Sequence, residues 1–152
     1  MANEIRTKDV AEAAFTTTTA SLAAAAGRSS AAITNSNDQP AALISVKVTS
    51  GGSAPTAGGC YTVYLLRDLG TLADDGWGGT DAAFTPVNAP IIGTIVVTND
   101  AATAFYGIFD TAPFGPLGPT FGIAIVNNTD QAISTTEGDH VEYYNYYVPE
   151  VQ

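Results

Sequence analysis

The sequence predicts an all-β protein, an antiparallel β-sandwich of jelly-roll or Greek-key type with an extended N-terminal arm. About six to eight segments have the length and composition of strands, with turn-forming residues between them at intervals of roughly 8 to 15 residues. No segment has the apolar period of an amphipathic helix. We expect residues 1–15 to form the arm and residues 16–152 to form a single sandwich domain.

Two segments near the C-terminus are predicted to organise the fold. Residues 121–126 are an almost unbroken apolar run of strand length, which indicates a strand covered on both faces. Residues 141–148 are rich in tyrosine, with Glu142 and Asn145 interspersed, which is typical of a strand with one face partly exposed. The rest of the chain is expected to pack against these two strands or pair with them.

The upstream strands are predicted from alternation and length. Residues 41–49 place Ile44, Val46 and Val48 on one side, as in a half-buried strand. Residues 60–67 follow after a flexible loop, and two adjacent strands joined in this way predict an antiparallel pair. The remaining strand patterns lie at residues 91–98 and 103–109.

The charge balance disfavours two classes of partner. Five basic residues oppose fifteen acidic ones, giving a formal net charge of −10. Nucleic acids and anionic membranes select clustered Lys and Arg, so we expect no nucleic-acid and no membrane partner. The N-terminal residues carry charges and no continuous apolar run, so neither a signal peptide nor a transmembrane segment is predicted there. Cys60 is the single cysteine, which excludes an intrachain disulfide.

No catalytic arrangement is predicted. His140 lies beside Asp139 and three residues after Glu137, a spacing that acid–base chemistry or a metal ligand would allow. A single histidine at the start of a strand is more often structural or simply exposed, and the GxSxG nucleophile motif is absent. We therefore expect no enzymatic activity and no cofactor.

The glycine-rich loop at residues 68–88 raises two further hypotheses. Asp74, Asp75 and Asp81 offer the oxygen ligands that calcium prefers, but their spacing does not match a calcium-binding loop, and a solvated loop is favoured. We therefore expect no metal site. Trp77 is equally consistent with a contact residue for a partner and with a lid folded onto the core.

Two polar or aromatic motifs remain. Asn127-Asn128-Thr129 matches a glycosylation acceptor but is more simply a polar β-turn. The last strand carries tyrosines on both faces, so one face fills the core and the other lies on a second surface. A subunit interface is a plainer interpretation of that surface than carbohydrate stacking. The tyrosines are Tyr143, Tyr144, Tyr146 and Tyr147.

Residues 117–151, together with the strand Cys-Tyr-Thr-Val-Tyr-Leu-Leu-Arg-Asp at 60–68, resemble small β-sandwich proteins encoded among the virion genes of tailed bacteriophages. In size and composition the chain is similar to head decoration, or cement, proteins. The resemblance covers about residues 41–151, and its motifs are not catalytic. It implies a structural protein on the outer surface of the expanded capsid, often a homotrimer, with the major capsid protein as partner and assembly in the host cytoplasm.

The expected function is therefore to bind a phage capsid and bridge its neighbouring subunits. A carbohydrate-binding module that stacks sugars on Trp77 and the tyrosines, and a tail or fibre-associated virion component, remain as alternatives. The predicted interface residues are Ile5, Arg6 and Lys8 in the arm, Trp77 in the long loop, and Tyr144 and Tyr146 on the last strand.

Overall fold

The chain folds into two antiparallel sheets that pack face to face. A computed structural model describes the backbone of residues 5–9 and 12–151 and the side chains of residues 12–147. Sheet A contains β1 (Ile5–Asp9), β2 (Ala13–Ala14), β5 (Ala41–Thr49), β9 (Ala104–Asp110) and β11 (Val141–Val151). Sheet B contains β3 (Gly27–Ser29), β4 (Ile33–Thr34), β6 (Cys60–Asp68), β7 (Ala82–Ala83), β8 (Ile91–Val96) and β10 (Thr120–Asn128).

The strand pairs are nested, as in a long hairpin wrapped around a core. β6 pairs with β8, β5 with β9, β10 with β3 and β4, and β11 with β1 and β2. Successive pairs alternate between the two sheets. This is the winding of a jelly roll, and it confirms the predicted fold class.

The core lies between the inner faces of the two sheets. Ile44, Val46 and Val48 of β5 are at most 2% exposed, which confirms the predicted alternation. Phe121 and Ile123 of β10 face them from sheet B and are fully buried. Burial of alternate side chains on each strand supplies the main stabilisation of such a sandwich.

β10 is covered on both faces, as the sequence predicts. Its second face carries Ala124, which packs with Leu66, Trp77 and Ala89 in a smaller cluster on the outside of sheet B. The indole of Trp77 lies directly over Gly122, where an added Cβ would come within 2.6 Å of the ring. The loop between β6 and β8 therefore forms a lid over the middle of sheet B.

The predicted antiparallel pair of residues 41–49 and 60–67 is wrong. β5 lies in sheet A and β6 in sheet B, so the loop between them crosses from one sheet to the other. The two C-terminal strands, β10 and β11, also lie in opposite sheets. A connection of this length permits either arrangement, and strand patterns alone do not report which sheet a strand joins.

The predicted N-terminal arm contributes strands to sheet A. β2 pairs with Tyr143 and Tyr144, and β1 pairs with residues 147–151 of β11. Because β5 begins opposite Tyr147, β1 and the end of β11 form a two-stranded ribbon beyond β5. In the described part of the chain, no helix has the length and apolarity needed to cross a membrane.

Candidate docking surface

Alternate residues of β11, β5 and β9 point away from the core and line up across the outer side of sheet A. The strand registers place them in three rows, which we call the sheet A face. The rows are Val141, Lys47 and Tyr106; then Tyr143, Ser45 and Ile108; then Asn145, Leu43 and Asp110.

The sheet A face exposes large apolar side chains side by side. Tyr106 is 70% exposed, Ile108 is 71% exposed and Leu43 is 36% exposed. A shallow groove of about 240 Å³ runs between β5 and β9, lined by Tyr106, Ile108, Lys47 and Val141 among others. Contiguous apolar surface of this kind marks an interaction site more often than single exposed apolar residues do.

The cation on this face differs from the other two cations whose side chains are described. Arg28 pairs with Asp81 and Arg67 pairs with Asp74. Lys47 makes no ion pair with any of the side chains described for residues 12–147. A cation on the central strand of this face, between Val141 and Tyr106, suits a partner that presents a carboxylate.

Tyr147 borders the sheet A face and fixes its acidic end. Its hydroxyl donates a hydrogen bond to Oδ1 of Asp110. Burial, together with the Asp110 carboxylate as acceptor and neighbouring charge, raises the pKa of Tyr147 to about 12. The hydroxyl therefore stays protonated over the whole physiological range and holds Asp110 in place.

Trp77, a predicted interface residue, is buried in this chain. It is 7% exposed, and its Nε1 donates a hydrogen bond to the Ser30 carbonyl at 3.2 Å. Of the two sequence-based interpretations, the structure therefore places Trp77 as a lid. It offers no free ring for a partner or a sugar in this conformation.

Tyr144 and Tyr146, also predicted at an interface, face the core. Their rings pack on Phe121, with ring centroids 5.5 and 5.8 Å from it. Tyr143 and Tyr147, at the intervening positions, lie on the outer side of the sheet. The side chains of Ile5, Arg6 and Lys8 lie outside the described residues.

The exposed residues of β9 are not among those predicted from the sequence. Its segment reads Ala-Phe-Tyr-Gly-Ile-Phe-Asp, with apolar residues at both parities, so alternation does not reveal which side faces solvent. Gly107 lies on the core-facing side of β9, and the ring of Phe109 fills the place of its missing side chain. A glycine in this segment therefore indicates which side of the strand is packed. Tyr106 and Ile108 then follow as the outward residues.

The three aspartates considered for calcium belong to separate hydrogen-bond sets. Asp74 pairs with Arg67 and Asp81 with Arg28, while Asp75 accepts hydrogen bonds from the backbone N–H groups of residues 87–89. Burial alone would raise the pKa of Asp75, but these three N–H donors outweigh it and lower the pKa. Among the described residues, no group of three or more His, Cys, Asp or Glu side chains is placed to hold a metal ion.

His140 is a structural residue. It is 5% exposed, its Nδ1 lies 3.3 Å from the Thr49 backbone N–H, and its Nε2 lies 3.1 Å from the Ser134 carbonyl. A neutral imidazole with the proton on Nε2 satisfies both contacts, since Nδ1 then accepts and Nε2 donates. Both ring nitrogens are therefore committed to backbone groups, and neither is directed at a substrate.

Comparisons with known proteins add no relative to this picture. The sequence matches no protein-family model, and neither a curated protein nor a solved structure matches it at a significant level. The fold and the sheet A face therefore carry the functional argument.

Proposed function

We propose that this chain is a non-enzymatic structural protein of a tailed phage particle, which binds the outer capsid surface through the sheet A face. The observation that carries the proposal is the pair of neighbouring, largely exposed apolar residues Tyr106 and Ile108 on a regular sheet. The resemblance supplies the capsid as partner. Jelly rolls are frequent in viral capsid and lectin domains, which supports the assignment only by analogy of fold.

Binding to a lattice suits a face of this size. A capsid presents the same site many times, so a protein that engages several neighbouring subunits gains retention without strong individual contacts. The major capsid protein is the proposed partner, and the proposed location is the capsid surface, after assembly in the host cytoplasm. Ile5, Arg6 and Lys8 in the arm are proposed as a second contact.

The proposal is tested by co-sedimentation of the purified protein with emptied, expanded capsids of the phage that encodes it. Leu43→Ser combined with Lys47→Ser removes one apolar and one charged contact from the face and is expected to weaken binding about tenfold or more. Ile91→Ser combined with Val96→Ser is the matched control, because both residues are exposed on β8 of the opposite sheet. Equal binding by the two double variants would refute the role of the face.

The arm is tested by deleting residues 1–10. We expect loss of capsid binding with an unchanged thermal unfolding transition of the sandwich, because the deletion removes β1 and leaves the core strands intact. Capsid binding at the native level would remove the arm from the proposal while leaving the face.

A carbohydrate-binding module remains the second candidate, favoured by the exposed ring of Tyr106. A polar depression of about 390 Å³, lined by Thr49, Ser50 and Ser134 among others, contributes little, because those three hydroxyls are hydrogen-bonded within the protein and no aromatic ring for sugar stacking lines it. A glycan-array signal lost in Tyr106→Ala, together with absence of capsid binding, would favour this candidate.

A further inference from the structure

We propose that β9 pairs with β9 of a second copy around a two-fold axis, so that the two A sheets become one continuous sheet. The inference is independent of capsid binding, since it concerns the free protein. It depends on the open edge of β9, on the self-complementarity of its residues and on the place of Gly107.

β9 presents a full row of unpaired backbone groups. Thr111 N–H donates to the Ala42 carbonyl and Ser50 N–H to the Thr103 carbonyl, which fixes the phase of the β5–β9 ladder. Hydrogen-bonded pairs recur at every second residue, so the backbone N–H and C=O groups of Phe105, Gly107 and Phe109 point toward β5. The N–H and C=O groups at positions 104, 106, 108 and 110 therefore point to the outer edge, without backbone partners among the described residues.

The other sheet edges are protected. β2 and β7 are two residues long, and β8 follows Pro90 and contains a register shift opposite β6. β1 has three charged residues among five. β9 is seven residues long, keeps an unbroken register with β5 and carries one charge, Asp110, at its end. Long, flat, apolar edges of this kind recruit another strand.

One antiparallel register satisfies the whole edge. If Tyr106 lies opposite Ile108 of the second copy, Ala104 lies opposite Asp110, and each of the four resulting pairs exchanges two hydrogen bonds. Tyrosine beside a β-branched residue is a favourable cross-strand pair. The two Asp110 carboxylates lie at opposite ends, about 20 Å apart along the strands, well beyond the screening length of about 8 Å.

Gly107 lies on the two-fold axis in this register. Antiparallel residues that are not hydrogen-bonded approach to about 4.5 Å between Cα atoms, which is the closest contact in the pair. Glycine brings no side chain to that contact. On the core side, Phe105 of each copy lies opposite Phe109 of the other. In each copy, these two partly buried rings therefore become more buried on dimerisation. On the outer side, the two A faces join into one larger apolar surface.

The first test is the mass of the free protein in solution, by light scattering or sedimentation. A dimer is expected for the native chain and for Thr94→Pro, and Tyr106→Pro is expected to weaken dimerisation about tenfold or more. The two prolines are matched, since each removes an outward N–H from an edge strand, in sheet A or in sheet B. If Tyr106→Pro unfolds, Ile108→Lys replaces it, with the same expected loss of the dimer.

The second test reads the register. In a Cys60→Ser background, Tyr106→Cys protein mixed with Ile108→Cys protein is expected to form a disulfide-linked dimer, because facing residues have Cα atoms within the range a disulfide spans. Neither variant alone is expected to do so. A monomeric native chain, the trimer that the resemblance implies, or efficient crosslinking of Tyr106→Cys with itself would each overturn the proposal.

Discussion

Glu142 is a carboxylic acid in an environment usual for an apolar residue. It is 6% exposed on the core side of β11, and the Thr19 hydroxyl oxygen lies 3.2 Å from Oε1 of both Glu142 and Glu137. Burial raises the pKa of Glu142 to about 7; the Thr19 hydrogen bond lowers it in part, and the charges of Glu137 and Asp81 raise it further. The Thr19 hydroxyl is within donating distance of Oε1 of both carboxyl groups, so its single proton is shared between Glu142 and Glu137.

The raised pKa predicts a pH-dependent stability. The folded state holds this proton more tightly than the unfolded state, so stability is fully present below about pH 4.5 and falls as pH rises through about 7. The resulting loss in the free energy of unfolding, between these two pH values, is on the order of 3 kcal/mol. Glu142→Gln stays neutral and should show a flatter decline between pH 5 and 8, measured by urea unfolding at each pH. Parallel curves for the two proteins would contradict this assignment.

Asn127, near the end of β10, is the polar centre that anchors the bend after this strand. Its Nδ2 donates to the carbonyls of Leu22, Ala23 and Gln131, and its Oδ1 accepts from the N–H and hydroxyl of Thr129. The predicted polar turn at residues 127–129 is therefore misplaced, since Asn127 and Asn128 belong to β10, and the Asn127 amide ties the bend that follows to residues 22–23. Because Asn127 is fully buried, its amide is engaged within the fold and is not presented as a glycosylation acceptor.

Asn127→Ala is expected to lower the free energy of unfolding by about 2–4 kcal/mol, since it removes from a fully buried position the donor to three carbonyls and the acceptor for Thr129. Asn128→Ala is the control. Asn128 is exposed and donates one hydrogen bond, to the Thr62 hydroxyl, so a loss below about 1 kcal/mol is expected. Similar losses for both variants in urea unfolding would show that the buried network is unimportant.

The last strand lies where the sequence predicts it, but Tyr144 and Tyr146, the predicted interface tyrosines, face the core, and Tyr143 and Tyr147 face outward. Glu142 shares the parity of Tyr144 and Tyr146, and a charged residue is usually on the solvent side of a strand. Here Glu142 is instead buried against Thr19 from the N-terminal segment. A contact between residues this far apart in the chain leaves no local pattern, so alternation alone does not reveal it.

The packing of sheet A on sheet B depends on a close fit of β9 against β8. The ring of Phe109 occupies the space where side chains at Gly93 and Gly107 would lie. A Cβ at Gly93 would meet the ring atoms Cε1 and Cδ1 of Phe109. Gly93 therefore serves close approach of the two sheets rather than an unusual backbone angle.

Gly93→Ala is expected to lower the free energy of unfolding by about 1–3 kcal/mol, because the added methyl group displaces Phe109 from a filled core. Gly52→Ala is the control, since a Cβ there meets nothing within 4 Å. It should be neutral or slightly stabilising. Thermal unfolding compares the two variants, and an unaffected Gly93→Ala would mean that the ring has room to move.

At the level of elements, strand positions could be predicted and strand partners could not. The segments for β5, β6, β8, β9, β10 and β11 follow from alternation, length and turn residues. Their assignment to sheets depends on whether a connection returns along the same sheet or crosses the core. The loop from Thr49 to Cys60 crosses, and nothing in its glycine-rich sequence distinguishes that path from a hairpin.

The whole molecule combines a high negative charge with an apolar sheet A face. A net charge of −10 repels a second copy at long range, whereas the proposed β9 contact depends on backbone hydrogen bonds and apolar side chains at short range. The two contributions respond differently to salt. Screening reduces the repulsion between whole molecules and leaves the buried contact nearly unchanged.

Added salt is therefore expected to tighten the β9 dimer. Between about 0.01 M and 0.1 M ionic strength the Debye length falls from about 30 to about 10 Å, so the dissociation constant should fall several-fold. Sedimentation equilibrium at several salt concentrations measures it. A dimer that weakens with salt would indicate instead that opposite charges such as Lys47 and a carboxylate of the second copy hold it together. Lys47→Gln separates the two cases. If the apolar edge is the contact, the dissociation constant of this variant still falls with added salt. If an ion pair of Lys47 is the contact, the variant loses the weakening by salt.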